Sequence, residues 1–487
     1  MKLRCLHGWF RGWFHRAAPV DAKAPKAPGP RRKRNRQRGV ALLITLTWIA
    51  LMVALVSEFT YGTSVDSAQA ANARDELRAH YMAMSSVNLA RLLIKIQLRF
   101  VEPVMGQARQ MLSSAMGGGA AGAGASGAGS SMSGGLGISL RVTDYAGPLM
   151  GFFSGSKEEV AGLGSLIGID TTAIKGLGLT SGNFDAEITS EDGKIDLNCG
   201  SGIPNSDAHT RQVVVYRMLT ALLYSPRFDR LFSEADANGQ FVTRNDVVRA
   251  LIDWADIDEQ GFAIDGTAAG GEDYRYDASR DRYRAHDNSY DTVEEIKMVR
   301  GVSDGFMEAF QPYLTVYASD PQKQCRINLG VITNKTGGDC TPLLMGVIRA
   351  AAMSDPTKPP SDPGILDDTR LYPVASLLCD RASAAGFDSL DAITSVLQNP
   401  QSAVMPDDPR WKAFQGLRGL DVKKADLAKL AYVGPTRVYR IVATGEAGRV
   451  KKKITAIIDT RRTPENYFSL NAISEQGNGV LQYWREE

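Results

Sequence analysis

Histidine and cysteine are both scarce, with five of each in 487 residues. Beyond the N-terminal stretch the only histidines are His80, His209 and His286, and none sits in a recognisable motif. A zinc centre or catalytic triad built on histidine therefore has no signature here. No Cys-x-x-Cys pair occurs, which removes the common zinc and thiol-redox patterns. Proline is absent from 57 to 100 and glycine appears there once, at Gly62, so nothing interrupts a helix over that span. Charge is missing altogether from Val40 to Val56. The formal net charge is only +2, so the body of the chain is not broadly basic.

What is present begins with a basic run, Arg31, Arg32, Lys33, Arg34, Arg36 and Arg38, followed by Gly39 and the apolar segment VALLITLTWIALMVALV, Val40 to Val56. As a helix rising about 1.5 Å per residue, that segment spans roughly 25 Å, near the lower limit for crossing a bilayer. Ser57, Glu58 and Phe59 follow it, not the small residues of an A-x-A cleavage site, which favours retention as an anchor. Positive charge on the N-terminal side predicts a cytoplasmic leader, with everything after Val56 exported. Leu77, Tyr81 and Met84, then Leu89, Leu92, Leu93 and Ile96, recur at helical intervals. Anchor and amphipathic stretch read as one helix from Val40 to about Phe100, on the order of 90 Å long.

Gly117 to Gly137 is almost entirely Gly, Ala, Ser and Met, the composition of a disordered linker. Beyond it, ISLRVTDYAG and FDAEITSEDGKIDLN alternate like strands, with Asp192-Gly193 as a hairpin signal between ITSE and KIDL. From Arg211 the pattern becomes helical in RQVVVYRMLTALL, TRNDVVRALIDWAD, TVEEIKMVRGVSDGFMEAFQPYL, TPLLMGVIRAA and SLDAITSVLQ. Alternation returns in RVYRIVATGEAGRVKKKITAIID, with a Gly445 to Gly448 turn, and the last strand is VLQYWREE. The expected fold is α+β, a long N-terminal helix packed on a small antiparallel sheet with a large all-α domain inserted between strands. Its parts are a leader over 1–39, a membrane helix over 40–56, a first α/β part over 101–210, the inserted domain over 211–430 and a second α/β part over 431–487.

RQRGVALLITLTWIALMVAL and ELRAHYMAMSSVNLARLLIKI resemble the type IV pilin superfamily, in which a prepilin peptidase cuts after a glycine between a basic leader and an apolar helix. The resemblance implies cleavage after Gly39 and a mature, often methylated N-terminus at Val40. Pilins carry Glu at the fifth mature position; this chain has Ile44 there. The words EDGKIDLN, ALIDWADIDEQ, EDYRYD, TVEEIKMVRGVSDGFMEAFQPYLTVY, RINLG, YRIVATGE and YWREE, in that order, resemble the K-type minor pseudopilins of the type II secretion system. That likeness implies a non-enzymatic subunit of the inner membrane, single-pass, with its bulk in the periplasm. It further implies a cap on the pseudopilus made with I-type and J-type minor pseudopilins, no nucleic acid, and calcium in the helical domain. The calcium candidates are Asp256, Asp258, Glu272, Asp273, Asp277 and Asp281.

Read on its own chemistry, the stretch Asp253 to Asp291 gathers carboxylates among Gly and Tyr, a composition suited to calcium, which takes six to eight oxygens. Asp256-x-Asp258-x-Gln260-Gly261 begins like an EF-hand but has Thr267 where the bidentate Glu belongs. A second near-match, Glu234-x-Asp236-x-Asn238-Gly239 with Asn245, is better explained by Thr243-x-x-Asp246 as a capping box. Gly301-Val302-Ser303-Asp304-Gly305 fits G-x-S-x-G, so a tethered hydrolase using Ser303 is an alternative, although a nucleophile elbow needs a strand before the Ser. The other reading is a helix-hairpin-helix turn in which Gly301 ends one helix and Ser303 caps the next. That turn raises DNA binding, against which Ser303 replaces the second Gly and Asp304 adds negative charge. Cys199, Cys325, Cys340 and Cys379 predict two disulfides, with three connectivities open and Cys325–Cys340 the shortest clamp.

Overall fold

A computed structural model describes residues 38–104, 107, 146–147, 182–202, 206–233, 241–267, 270–271, 276, 283–318, 325–334, 338–353, 360–403, 409–461 and 479–487. The chain divides into two units, Met1–Gln69 and Ala70–Glu487. Helix α1 runs Arg38–Ile96 and passes into a π-helical turn, Gln97–Val101. Its part in the first unit carries large apolar side chains that are more than half exposed, Val40, Leu42, Leu43, Ile44, Trp48 and Ile49 among them.

In the second unit, Ala79, Ala83, Val87, Ala90 and Ile94 recur every three or four residues and form one buried face of α1. That face covers a sheet ordered β1-β6-β7-β8: β1 (Asn183–Ser190), β6 (Val438–Ala447), β7 (Val450–Asp459) and β8 (Val480–Glu486), every neighbour antiparallel. Alternate residues of three strands point to the helix: Phe184, Ala186 and Ile188; Tyr439, Ile441 and Ala443; Ile454, Ala456 and Ile458. A Cβ added at Gly445 would collide with the backbone of Ala79 and Ala83, so this glycine lets helix and sheet touch main chain to main chain. The β6–β7 hairpin closes through Gly448 and Arg449, with Gly448 at φ +61° where a type II′ turn requires glycine.

One strand expectation needs correction. Asp192-Gly193 turns the chain, yet β1 does not pair with β2 (Ile195–Asp196). β1 pairs with β6, while β2 lies parallel to β3 (Leu314–Thr315). The cause is the Asp192 side chain, whose carboxylate accepts from the N–H groups of Arg437 (2.5 Å) and Val438 (3.1 Å) and so closes β1 onto β6 instead. Of ISLRVTDYAG only residues 146–147 are described, and they are helical. The linker expected over 117–137 lies outside the described residues.

Between Ser190 and Val438 the chain builds a second, mainly helical core. Among the described residues its α-helices of seven or more residues are α2 (Ser206–Leu222), α3 (Arg244–Asp253), α4 (Asp304–Phe310), α5 (Thr341–Ala352), α6 (Asp368–Ala384), α7 (Leu390–Gln398) and α8 (Lys424–Leu430). A small parallel pair, β4 (Ile327–Asn328) with β5 (Ala431–Tyr432), stitches it near the return to the sheet. α5 is buried from Thr341 to Ala351 and packs against α2, α6 and α8. Arg349 on α5 is 1% exposed and bonds Asp368 and the carbonyl of Ile365, which satisfies its charge inside the core. Disulfides join Cys199 to Cys325 and Cys340 to Cys379, with Cα atoms 5.5 and 5.7 Å apart. The Cys325–Cys340 clamp is therefore wrong. Cys340 stands at the start of α5 beside α6, and Cys325 opens the approach to β4, opposite Cys199.

Candidate functional site

Gly39 and Val40 occupy the first turn of α1, both exposed, and an added Cβ at Gly39 would meet nothing within 4 Å. Ile44 is exposed on the same helix. The hydroxyls that follow do not break the apolar surface, because Thr45, Thr47, Ser57 and Thr60 each donate to a carbonyl three or four residues back. In a bilayer such groups must be satisfied within the helix, and these are. Among the described residues this helix, Gly39–Val104, is the one long and apolar enough to cross a membrane.

The acidic region is organised by α3. Thr243 and Asp246 form the expected capping box, each side chain bonding the other's backbone N–H. The apolar stripe of Val247, Val248, Leu251 and Ile252 draws the helix into the core, and its C-terminal end carries Asp253, Trp254 and Asp256 inside with it. Asp253, 1% exposed, accepts from the Phe262 N–H at 2.6 Å and closes the following loop. It stands at the negative end of the helix dipole, where a carboxylate is unfavourable unless positive charge balances it.

Asp256 is 3% exposed; its Oδ2 accepts from Gln212 at 3.0 Å, while its Oδ1 is buried with no hydrogen-bond partner. A buried, unpaired carboxylate oxygen is costly. Burial, then the charges of Asp253, Asp258 and Asp287, push its pKa up to about 9. Asp258 is half-buried and accepts from the N–H of Gln260 at 2.8 Å. Glu272, Asp273, Asp277 and Asp281 lie outside the described residues, as do Glu234, Asp236 and Asn238. Among the described residues no three His, Cys, Asp or Glu side chains converge on one point.

The wall of this region was not legible in the sequence. Trp254 donates from its indole to Glu295 at 2.9 Å, His286 pairs with the same carboxylate at 3.1 Å, and the His286 ring stacks on Trp254. Tyr290 is anchored both ways by Asn198 and donates its hydroxyl to the carbonyl of Leu251. His80 and His209 stand apart: His80 lies 3.4 Å from Glu486, and His209 packs on Phe262.

Ser303 has a structural task. It N-caps α4, its hydroxyl accepting from the N–H of Phe306, and the segment before it is a 3₁₀ helix, Val293–Met298, not a strand. The strand-turn-helix of a nucleophile elbow is absent at this position. Gly301 at φ +83° makes the turn, as the hairpin reading requires.

Comparison with known proteins adds three findings. Residues 210–319 match the family model described as type II secretion system (T2SS), protein K. Among solved structures, one similar chain belongs to the GspK-GspI-GspJ complex from the enterotoxigenic Escherichia coli type 2 secretion system, with 16% sequence identity and a TM-score of 0.37, covering 63% of this chain and 81% of that one. No curated protein matches the chain. Gln212, Asp253, Asp256, Asp258 and Asp287 all lie within the stretch that matches the protein K family model.

Proposed function

We propose that this chain is a minor pseudopilin of the type II secretion system, held in the inner membrane by α1 and assembled with I-type and J-type minor pseudopilins to cap or initiate the periplasmic pseudopilus. The observation that carries the reading is the protein K match over residues 210–319, in a chain whose α1 begins at a basic residue, a glycine and an uncharged apolar run. Prepilin peptidase removes residues 1–39, leaving Val40 as the mature, methylated terminus. With Ile44 in the fifth place, the subunit lacks the carboxylate that neutralises the terminal amine of a subunit already in the filament. A subunit so made has no partner to satisfy beneath it, which suits a tip. The helical insertion between β1 and β6 adds bulk on the periplasmic side, again suited to an end position.

Calcium belongs to the same reading. The donors are all oxygen, and the partnerless buried Oδ1 of Asp256 fits a hard cation that takes six to eight such ligands. Asp256 and Asp258 would hold it, with Glu272, Asp273, Asp277 and Asp281 as the further candidates.

Mass spectrometry of the membrane-extracted protein tests the assembly reading. A mature N-terminus at Val40 is the expected result. An intact leader, or a cut beyond Ser57, would exclude the pilin route.

A further inference from the structure

We infer that the outer face of α1 in the second unit docks a protein helix that carries carboxylates at i, i+4 and i+8, met there by Arg91, Lys95 and Arg99. The inference goes beyond the assembly reading, since it fixes the charge of the neighbour whichever subunit supplies that helix.

The charges along this stretch leave those three residues over. Between 70 and 104 the acidic residues are Asp75, Glu76 and Glu102, and each is already paired: Asp75 with Arg74 and Arg78, Glu76 with Lys452, Glu102 with Arg437. His80 lies against Glu486. Arg91, Lys95 and Arg99 make no ion pair among the described residues. Arg91 is half-buried, and its Nε has no hydrogen-bond partner. Their spacing sets them in one row. Four residues are slightly more than one α-helical turn, so such a row drifts around the axis. The π-helical turn Gln97–Val101 is wider than an α turn and offsets that drift, which keeps Arg99 in line with Lys95.

Apolar side chains share this outer face. Leu77 and Tyr81 are 60% and 62% exposed and Leu92 is 51% exposed, although α1 already lays Ala83, Val87, Ala90 and Ile94 on the sheet. One buried face is enough to hold a helix to its sheet, so a second, exposed apolar stripe beside unpaired cations marks a contact surface. Arginine and aromatic side chains are enriched in protein interfaces, and rows at i, i+4 spacing interdigitate with those of a second helix. The phosphates of a nucleic acid would answer the cations but leave Leu77, Tyr81 and Leu92 in water. A carboxylate-bearing helix answers both.

The test places a photo-reactive phenylalanine analogue at Leu92 of the full chain, in the cells that make it, with a second probe at Leu46 in the apolar segment as control. Mass spectrometry identifies the crosslinked peptides. The Leu92 probe is expected to capture a protein segment with three carboxylates at helical spacing. Lys95→Glu combined with Arg99→Glu should lower that crosslink by roughly fivefold or more, because like charges facing each other across an interface are strongly disfavoured. Glu→Lys changes at the matching positions of the captured segment should restore it, as directly coupled pairs do. The melting temperature of the double variant should equal that of wild type, since neither side chain makes an ion pair within the chain; this separates docking from folding. A captured segment without those carboxylates, capture of lipid or nucleic acid, or a crosslink indifferent to charge reversal would overturn the docking face. So would silence at Leu92 while Leu46 crosslinks, and that result would leave the assembly reading standing. Silence at both positions would overturn both.

Discussion

Glu191 and Asp192 are adjacent, both buried, and displaced in opposite directions. Burial alone would raise the pKa of Glu191, but Lys194 (2.8 Å) and Arg440 (2.6 Å) outweigh it and hold the group down to about 2. Its stabilising contribution is therefore complete above about 4.5 and is lost as pH falls through about 2. Burial pushes Asp192 up to about 6, against the backbone N–H groups of Arg437 and Val438, which are the direct partners of its carboxylate among the described residues. The native state then binds a proton more tightly than the unfolded chain does. That contribution is full below about 3.8 and disappears as pH rises through about 6. Asp192→Asn keeps an acceptor for Arg437 and Val438 without the titration, so urea midpoints of the variant should lack the decline that wild type shows between pH 4 and about 6. Equal slopes would refute this. Glu191→Gln should instead cost about 2 to 3 kcal/mol in the same measurement at neutral pH, because two partly exposed cations lose their buried counter-charge.

At the scale of elements, the decisive contact is α1 against β6. Gly445 leaves no room for a side chain above it, since the backbone at Ala79 and Ala83 occupies that space. Gly445→Val should destabilise the protein by about 1 to 3 kcal/mol or more through overpacking, read from chemical denaturation. An unchanged midpoint would mean that helix and sheet are not in contact there. The hairpin around this glycine was legible because alternation and a glycine turn are local signals, and α1 was legible because nothing in it breaks periodicity. The partner of β1 was not, since Ser190 pairs with Tyr439, far downstream, and no local pattern encodes such a distance. α6 escaped notice for a different reason: Pro373 lies inside it, and a proline removes a helix bond that the surrounding packing must make good. In the acidic region the carboxylates of Asp256 and Asp258 stood out by composition. Glu295, His286 and Asn198 did not, because their roles exist only once remote loops meet.

For the molecule as a whole, the disulfides divide their work unequally. Cys199–Cys325 spans a separation of 126 residues and Cys340–Cys379 one of 39. Loop-closure entropy gives about 5 kcal/mol for the first and about 4 for the second, so Cys325→Ser should lower the denaturation midpoint more than Cys379→Ser. The reverse order would indicate that local packing around α5 and α6, not chain entropy, sets the effect.

The clasp made by Asp192 has a further consequence. Because its one carboxylate holds the backbone of both Arg437 and Val438, the route out of the sheet and the route back lie side by side. Everything from 193 to 436 enters and leaves through a single narrow gate. Evolution can treat such a segment as a graft. It can be enlarged, trimmed or exchanged for another while α1 and its four strands keep their register, much as domains are inserted wherever two chain ends sit close together.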